Sequence, residues 1–258
     1  ASRSFKTMPG MPEILVLYYS RGGSVARLAR QVARGIGEVD GMQARLRTVP
    51  PVAPVTTIAS PPEPEDGAPY VDRRDLAECA GLLIGSPTRF GNMAAPMKHF
   101  IDTLGAEWAS GTLVGKPAAA FTSTATMHGG QESTLLTMLV PLLHHGCVIS
   151  GIPFTEPALS TTRSGGTPYG ASHVAGAQDD PELSDDEAVL ARALGRRVAD
   201  LARREVRYPD GKRVELSERE ADLLRYLAGH PGRAVSREEI LQRVWRLDPK
   251  HIETRTID

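Results

Sequence analysis

Cysteine is scarce: Cys79 and Cys147 are the two in 258 residues, and each stands in an apolar run, AECAGLLIG and HHGCVIS. Two such thiols cannot build a disulfide framework or a thiolate metal site, and they read as buried thiols of a cytoplasmic protein in a reducing compartment. Charge of one sign is also missing, and a formal net charge of −1 gives no bulk attraction to nucleic acid or anionic lipid. No apolar run approaches the roughly eighteen residues of a membrane span. Residues 1–11 lack the apolar centre of a signal peptide and are expected to be a leader or disordered arm. Neither GxxxxGK[ST] nor GxGxxG occurs, which argues against a triphosphate loop and a Rossmann dinucleotide site. No His, Cys, Asp and Glu cluster has metal-ligand spacing, so no metal is expected. A GxSxG nucleophile and a Cys–His arrangement are absent too, which makes hydrolysis the weaker reading.

What is present organises itself around EILVLYYSRGGSV, residues 13–25. The run from Ile14 to Tyr19 reads as a buried central strand, and a helical apolar pattern follows from Val25. Between them, Ser20, Arg21, Gly22, Gly23 and Ser24 form a small-residue turn. A strand that delivers such a turn to a helix N-terminus is an anion site, because unpaired N–H groups and the helix dipole converge there. A serine and glycine turn without lysine suits one monophosphate, with Arg21 as a candidate neutralising charge at its rim.

Strands and helices alternate along the chain: strand Ala44–Val49, helix Arg73–Cys79, strand Gly81–Gly85, strand Lys116–Ser123, helix Gln131–His144, strand Cys147–Ser150 and helix Ser184–Arg204. On the last helix, Val189, Leu190, Leu194, Val198 and Leu201 are spaced to cover one side of a sheet. Such alternation predicts a parallel α/β sheet covered on both faces, with ligands bound beyond the carboxyl ends of the strands. Three strands end in small, polar, Gly-containing loops, at residues 20–25, 86–92 and 124–131, which predicts that they meet in one crevice. Pro50–Tyr70, rich in Pro, Ser and Thr, reads as a surface excursion.

The loop from Ser86 to Asn92 offers backbone donors and an apolar wall, as a flat heterocycle requires. Trp108 and Tyr169 lie among small residues, where they serve either packing or stacking. His144 and His145 end a helix before Gly146; one can face a crevice and pass a proton while the other caps the helix. Redox chemistry borrowed from a cofactor needs few protein groups, which fits this scarcity.

Near Arg204 the composition shifts, which sets domain boundaries at 12–204 and 205–258. Two helical segments follow, Glu218–Leu227 and Arg237–Trp245, preceded by Ser217 with Glu220 and by Ser236 with Glu239 in capping-box spacing.

The segments VLYYSRGGSVARLA, SPTRFGNMAAPMKHFID, EWASGTLVGKPAAAF, STATMHGGQEST, LLHHGCVI and RSGGTPYGA resemble the WrbA-type NAD(P)H:quinone oxidoreductases, which are flavodoxin-like FMN proteins. The resemblance runs from Glu13 to about Leu201. It implies a doubly wound parallel five-stranded sheet of order 2-1-3-4-5, with insertions, in a homotetramer. By the same carry-over, Ser20, Gly22, Gly23, Ser24 and Val25 would cradle the FMN phosphate. Pro87, Thr88, Arg89, Phe90, Gly91 and Asn92 would line the isoalloxazine, and Thr124, Ala125, Thr126, Met127 and Gly129 would hold the ribityl chain and ring edge. His144 would face the flavin as the catalytic residue, and Trp108, from a neighbouring subunit, would join Phe90 and His144 around the substrate. Position 22 is a glycine where many relatives carry a bulkier residue. The implied activity is ping-pong two-electron reduction of quinones by NADH or NADPH; the alternative is an FMN-binding electron shuttle or redox-sensing regulator. The tail resembles the start of an OmpR/PhoB-type winged-helix domain, partial because the given chain stops at Asp258 where the reading helix would open. From Val206 to Asp258, eleven Lys and Arg stand against ten Asp and Glu, so DNA binding by this chain is not expected.

Overall fold

In the computed structural model of the chain, the described residues are 11–52 and 67–203, with 205–207, 213–216, 220, 223–224, 226–227 and 233–245 in the C-terminal part. The N-terminal arm expected before Met11, most of the surface excursion before Tyr70, Ser217 and the segment near Thr254 lie outside them. Two compact units separate between Arg203 and Arg204.

The first unit contains β1 (Glu13–Tyr18), α1 (Ser24–Gly37), β2 (Gln43–Thr48), α2 (Arg73–Glu78), β3 (Gly81–Arg89), β4 (Asn92–Met93), α3 (Ala95–Asp102), α4 (Gly105–Ala109), β5 (Pro117–Thr124), α5 (Gln131–His144), β6 (Val148–Ile149), α6 (Ala158–Thr161), β7 (Ala171–Val174) and α7 (Asp185–Ala202). The sheet runs β2-β1-β3-β5 with every pair parallel. The position beyond β5 is shared: β6 pairs with Pro117 and Ala118, and β7 with Phe121 to Thr124, both parallel. The flavodoxin-like 2-1-3-4-5 order is therefore present, with its fifth strand interrupted.

Alternation along β1 sorts the core. Ile14, Val16 and Tyr18 face the layer of α1 and α7, while Leu15 and Leu17 face the side packed by Met97 of α3 and by Leu135 and Met138 of α5. Both cysteines are buried on this second side, and burial pushes the Cys147 thiol up to about 12.

Three expectations change. Helix α1 begins at Ser24, so Ser24 and Val25 belong to its first turn. Strand β3 continues through Arg89 and folds back antiparallel on β4, so the 86–92 segment is a strand end and hairpin turn and the next helix starts at Ala95. On α7, Leu190, Leu194 and Val198 are fully buried, but Val189 and Leu201 are exposed. Ala191, Ala193, Gly195, Ala199 and Ala202 complete the buried face, because this helix packs closely enough that small residues replace large ones.

In the second unit, β8 (Glu205–Arg207) pairs antiparallel with β9 (Arg213–Glu215). The predicted cap is present: Ser236 Oγ accepts from the Glu239 N–H at 3.2 Å, starting α8 (Arg237–Glu239), which runs on as a π-turn from Ile240 to Val244.

Candidate functional site

A cavity of about 480 Å³ opens at the carboxyl ends of β1, β3 and β5, a volume within the range of ligand pockets. Its first wall is Ser20, Arg21, Gly22, Ser24 and Val25, its second Pro87, Thr88 and Arg89, and its third Ser123, Thr124 and Ala125 with Gly176, Ala177 and Asp179. The three predicted strand-end loops thus converge, joined by a fourth segment that follows β7.

The first wall is the N-terminus of α1. Gly23, at φ 94°, is its N-cap and has no side chain to cap it with, and its first turn holds no acidic residue. Four N–H groups at a helix start have no intrahelical partner. Ser20 Oγ accepts from one of them, Ala26 N–H, at 3.3 Å. Ser24 lies in this turn, is 4 % exposed, and its Oγ is a buried polar atom without a hydrogen-bond partner among the described residues. A helix start with N–H groups left over beyond the one that Ser20 takes, beside an orphaned hydroxyl, fits a bound phosphate oxygen.

Gly22 is packed under Asp179. A Cβ at position 22 would overlap the Asp179 carboxylate, and Asp179 itself adopts φ 53°. The room a bulkier residue would take at position 22 is therefore filled from the β7–α7 segment.

The second wall ends in a turn whose two central residues, Phe90 and Gly91, have φ 55° and 77°. Positive φ at both positions is the type I′ hairpin requirement, which glycine meets freely and phenylalanine only with strain. Phe90 is fully exposed at the tip. The turn is held by α5: Thr88 Oγ1 lies 2.7 Å from Thr134 Oγ1, and a Cβ on Gly130 would come within 2.9 Å of Gly91 Cα. Asn92 Oδ1 accepts from the adjacent Met93 N–H at 2.7 Å, and the hairpin is closed by the pairing of Arg89 with Asn92. Beyond the third wall, Thr126, Met127 and Gly129 are exposed; Thr124 Oγ1 donates to the Thr126 carbonyl at 2.8 Å, and Gly129 N–H to the same oxygen at 3.0 Å.

His144 and Trp108 lie elsewhere in the chain. Helix α5 starts at the cavity and ends at His144 beside the amino end of β5, where Gly115 N–H donates to Gly146 C=O at 2.9 Å. Fourteen residues at about 1.5 Å rise each separate the two ends by about 20 Å. Trp108 Nε1 donates to the His144 carbonyl at 3.0 Å, so the two residues stand together at the sheet edge opposite this chain's own cavity.

The profile of the family described as NADPH-dependent FMN reductase matches residues 12–157. A protein named NAD(P)H dehydrogenase (quinone) from Chromohalobacter salexigens is 44 % identical over 196 residues, covering 74 % of this chain and 98 % of that relative. The chain belongs to the NADPH-dependent FMN reductase family. Within that family, a second NAD(P)H dehydrogenase (quinone), from Syntrophobacter fumaroxidans, is 42 % identical over 199 residues, covering 74 % of this chain and 98 % of the relative. The crystal structure of a WrbA-like flavodoxin from Agrobacterium tumefaciens shares the fold, with a TM-score of 0.52 at 22 % identity over 75 % of this chain and 98 % of that one. Outside the FMN reductase region, residues 211–258 match a family described as transcriptional regulatory protein, C terminal.

Sequence reasoning missed part of this family member's cavity: Ser123, Gly176, Ala177 and Asp179. Ser123 is hidden inside an apolar strand, and the other three follow a strand, β7, whose sequence ASHV carries no apolar alternation. Behind them stands a buried pair that was also missed, His173 and Glu187, 2 % and 1 % exposed, with His173 Nδ1 2.9 Å from Glu187 Oε2.

Proposed function

We propose that this cavity holds FMN by its phosphate and that the chain catalyses two-electron reduction of quinones by NADH or NADPH in two alternating half-reactions. The observation that carries the reading is the unpartnered Ser24 hydroxyl in the first turn of α1, inside a crevice formed by the strand ends. FMN held there would supply the redox chemistry, a two-electron exchange between a nicotinamide and a quinone that would use the same place in turn.

The chain's own residues supply binding and shape. Ser20, Gly22, Gly23, Ser24 and Val25 would hold the phosphate, and Arg21 at the rim offsets its charge and that of Asp179. Pro87, Thr88 and Arg89 with Thr124 and Ala125 line the space beyond. Gly91 and Asn92 shape the turn that projects Phe90 beside the cavity mouth, and Thr126, Met127 and Gly129 flank the other side. A strained, solvent-exposed phenylalanine is costly for an isolated fold and is explained by a flat substrate or a second protomer against it.

His144 and Trp108 serve a neighbouring protomer's cavity in this proposal, Trp108 as a wall and His144 as the group that passes a proton to the quinone oxygen. Support comes from the exposed apolar side chains around them: Val114, Leu136, Val140, Leu143 and Val148. The spacing of Leu136, Val140 and Leu143 on α5 makes one stripe, the surface expected of an oligomer interface. Assembly as a homotetramer would bring each such edge to another chain's cavity. Among the described residues no helix is long and apolar enough to cross a membrane, and no group of His, Cys, Asp and Glu is arranged to hold a metal ion.

The deciding experiment is anaerobic stopped-flow on FMN-loaded protein. Flavin absorbance is expected to bleach with NADH or NADPH and to recover with benzoquinone at rates that support turnover. Bleaching too slow for turnover would favour an electron shuttle or a redox-sensing regulator, the reading to which the C-terminal similarity adds weight.

Ser24→Ala separates binding from folding. A hydrogen bond to a charged phosphate contributes about 1.5 kcal/mol or more, so FMN affinity is expected to fall by about tenfold. In the apo-protein the same change removes a buried unsatisfied hydroxyl, and its unfolding free energy is expected to stay level or rise by about 1 kcal/mol. Fluorescence titration and urea unfolding read the two effects; parallel losses in both would remove Ser24 from the phosphate site.

A further inference from the structure

The wall formed by Gly176, Ala177 and Asp179 is a turn closed on itself by Asp180 N–H donating to the Ala175 carbonyl at 2.7 Å, and it is tied to the sheet behind it at two points. At its start, Ala175 N–H donates to the Thr124 carbonyl at 2.8 Å, which anchors it to β5. Further along, His173 reaches it from β7: its Nε2 is 2.8 Å from the Asp180 carbonyl oxygen, while its Nδ1 faces Glu187 Oε2.

The protonation state of this ring follows from its partners. Glu187 Oε1 accepts from the N–H groups of Gly165 and Val174 at 2.8 and 3.0 Å, and Oε2 accepts from Ser184 N–H at 2.9 Å. With three other donors directed at it, the carboxyl has no role as a donor and is ionised, so Nδ1 carries a proton. The Asp180 carbonyl accepts only, so Nε2 carries one as well. A neutral imidazole has a single N–H; both contacts together require the imidazolium. The charged groups that face it are Glu187 on α7 and Asp180 in the segment itself. Its register partner on β5 is Ser123, which does not titrate, and the turn at Gly165 brings a backbone N–H to Glu187.

We propose that His173, as an imidazolium, is the positioning residue of the cavity's third wall, bridging Glu187 to the Asp180 carbonyl and thereby holding the Gly176–Asp179 segment where the FMN phosphate site needs it. The inference rests on the assignment of this cavity to FMN. When the ring loses a proton, the carboxylate keeps the remaining N–H because it is the stronger acceptor, and the Asp180 carbonyl is left facing a lone pair. The turn then keeps its backbone closure, Asp180 N–H to the Ala175 carbonyl at 2.7 Å, and its anchor from Ala175 to β5, and loses the bond that ties Asp180 to β7 through His173.

The direction in pH follows. Burial alone would lower the His173 pKa, but the bonds to Glu187 and to the Asp180 carbonyl outweigh it and raise it above the ordinary value of 6.5. The bridge is therefore complete below 6.5 and is lost as pH rises through the raised pKa, so FMN affinity falls as pH rises past that point. By reciprocity, FMN must raise the His173 pKa.

The test is FMN binding by fluorescence quenching from about pH 6 to 9.5, for the whole chain and for His173→Gln. One lost hydrogen bond predicts a rise in the wild-type Kd of about fivefold across the step, and weak binding without that step in the variant, because glutamine does not titrate and its two N–H donors share one nitrogen, where the imidazolium donates from two separated ones. Titration of the phosphate and of the flavin ring occurs in both proteins and cancels in the comparison. A flat wild-type profile, or the same step in the variant, overturns the role of His173. Should the variant fail to fold, imidazole nitrogen NMR on the wild type decides alone. Both ring nitrogens are expected to be protonated at neutral pH, and the midpoint should move up by about 0.7 pH unit when FMN is added, the logarithm of the fivefold change. A neutral ring at pH 7, or a midpoint indifferent to FMN, overturns the proposal. Absence of FMN binding to the wild type at every pH would remove the flavin site and this inference together, whereas binding with a flat profile removes only the inference.

Discussion

Replacing Gly195 by alanine is expected to lower the unfolding free energy by about 3 kcal/mol, against the sign of helix propensity. Propensity alone favours alanine over glycine inside a helix by about 1 kcal/mol. Position 195 sits where α7 crosses α1, and a Cβ there would overlap the Val32 carbonyl oxygen. The relation is reciprocal: a Cβ on Gly35 would overlap the Arg192 carbonyl oxygen. Each glycine thus lies on the other helix's backbone, so no side-chain rotation can make room. The helices would have to separate and withdraw Leu190, Leu194 and Val198 from Val25, Leu28 and Val32 in the shared core. Gly37→Ala is the control. It lies at the end of α1, a Cβ there meets nothing within 4 Å, and stability should stay level or rise slightly. Urea unfolding of the three proteins measures the difference; a Gly195→Ala protein as stable as the control would show that the two backbones do not touch.

Those two glycines mark the limit of what sequence patterning reveals. Apolar runs identified β1, β3 and β5, and helical spacing identified α1, α5 and α7, because each buries a face that needs a periodic pattern. The close crossing of α1 and α7 left no such mark: two glycines among alanines look like weak helix formers, and the large residues Val189 and Leu201 were assigned to a face that alanines occupy. Strand β7 was invisible for a different reason. Its Ser172 and His173 are buried polar groups satisfied inside the fold, Ser172 Oγ donating to Gln131 Oε1 at 2.5 Å, so hydropathy carries no trace of the strand. The Gly176, Ala177 and Asp179 part of the third wall disappeared with it. The strand-end loops were legible because glycine and serine after an apolar run have few other uses, and family motifs then assigned their residues. Phe90 gave no hint of its turn, since the usual residue at that position is asparagine or glycine. The place of His144 required the length and direction of α5, which no local motif contains.

Glu187→Ala is expected to cost about 3–5 kcal/mol at neutral pH, as removal of one member of a buried ion pair does. The side chain is 1 % exposed and stands in the first turn of α7, where with Ser184 it completes a capping box. Alanine would strip the acceptor from the N–H groups of Gly165, Val174 and Ser184 and leave the His173 ring beside an apolar methyl. Burial by itself would push the Glu187 carboxyl up, yet bonds from His173, Ser184 and Val174 hold it down at about 2. A depressed carboxyl stabilises the fold fully above its ordinary value of 4.5, and the effect is lost as pH falls toward about 2. His173 has the opposite dependence, complete below 6.5 and lost through its raised pKa. The pair therefore contributes most between about pH 5 and 6.5, where both conditions hold. The gap between wild type and Glu187→Ala in urea unfolding should be largest in that interval and shrink below about pH 4. A gap that does not change with pH would mean that the carboxylate fills space there without carrying charge, and the clamp on the cavity wall would have to be sought in packing alone.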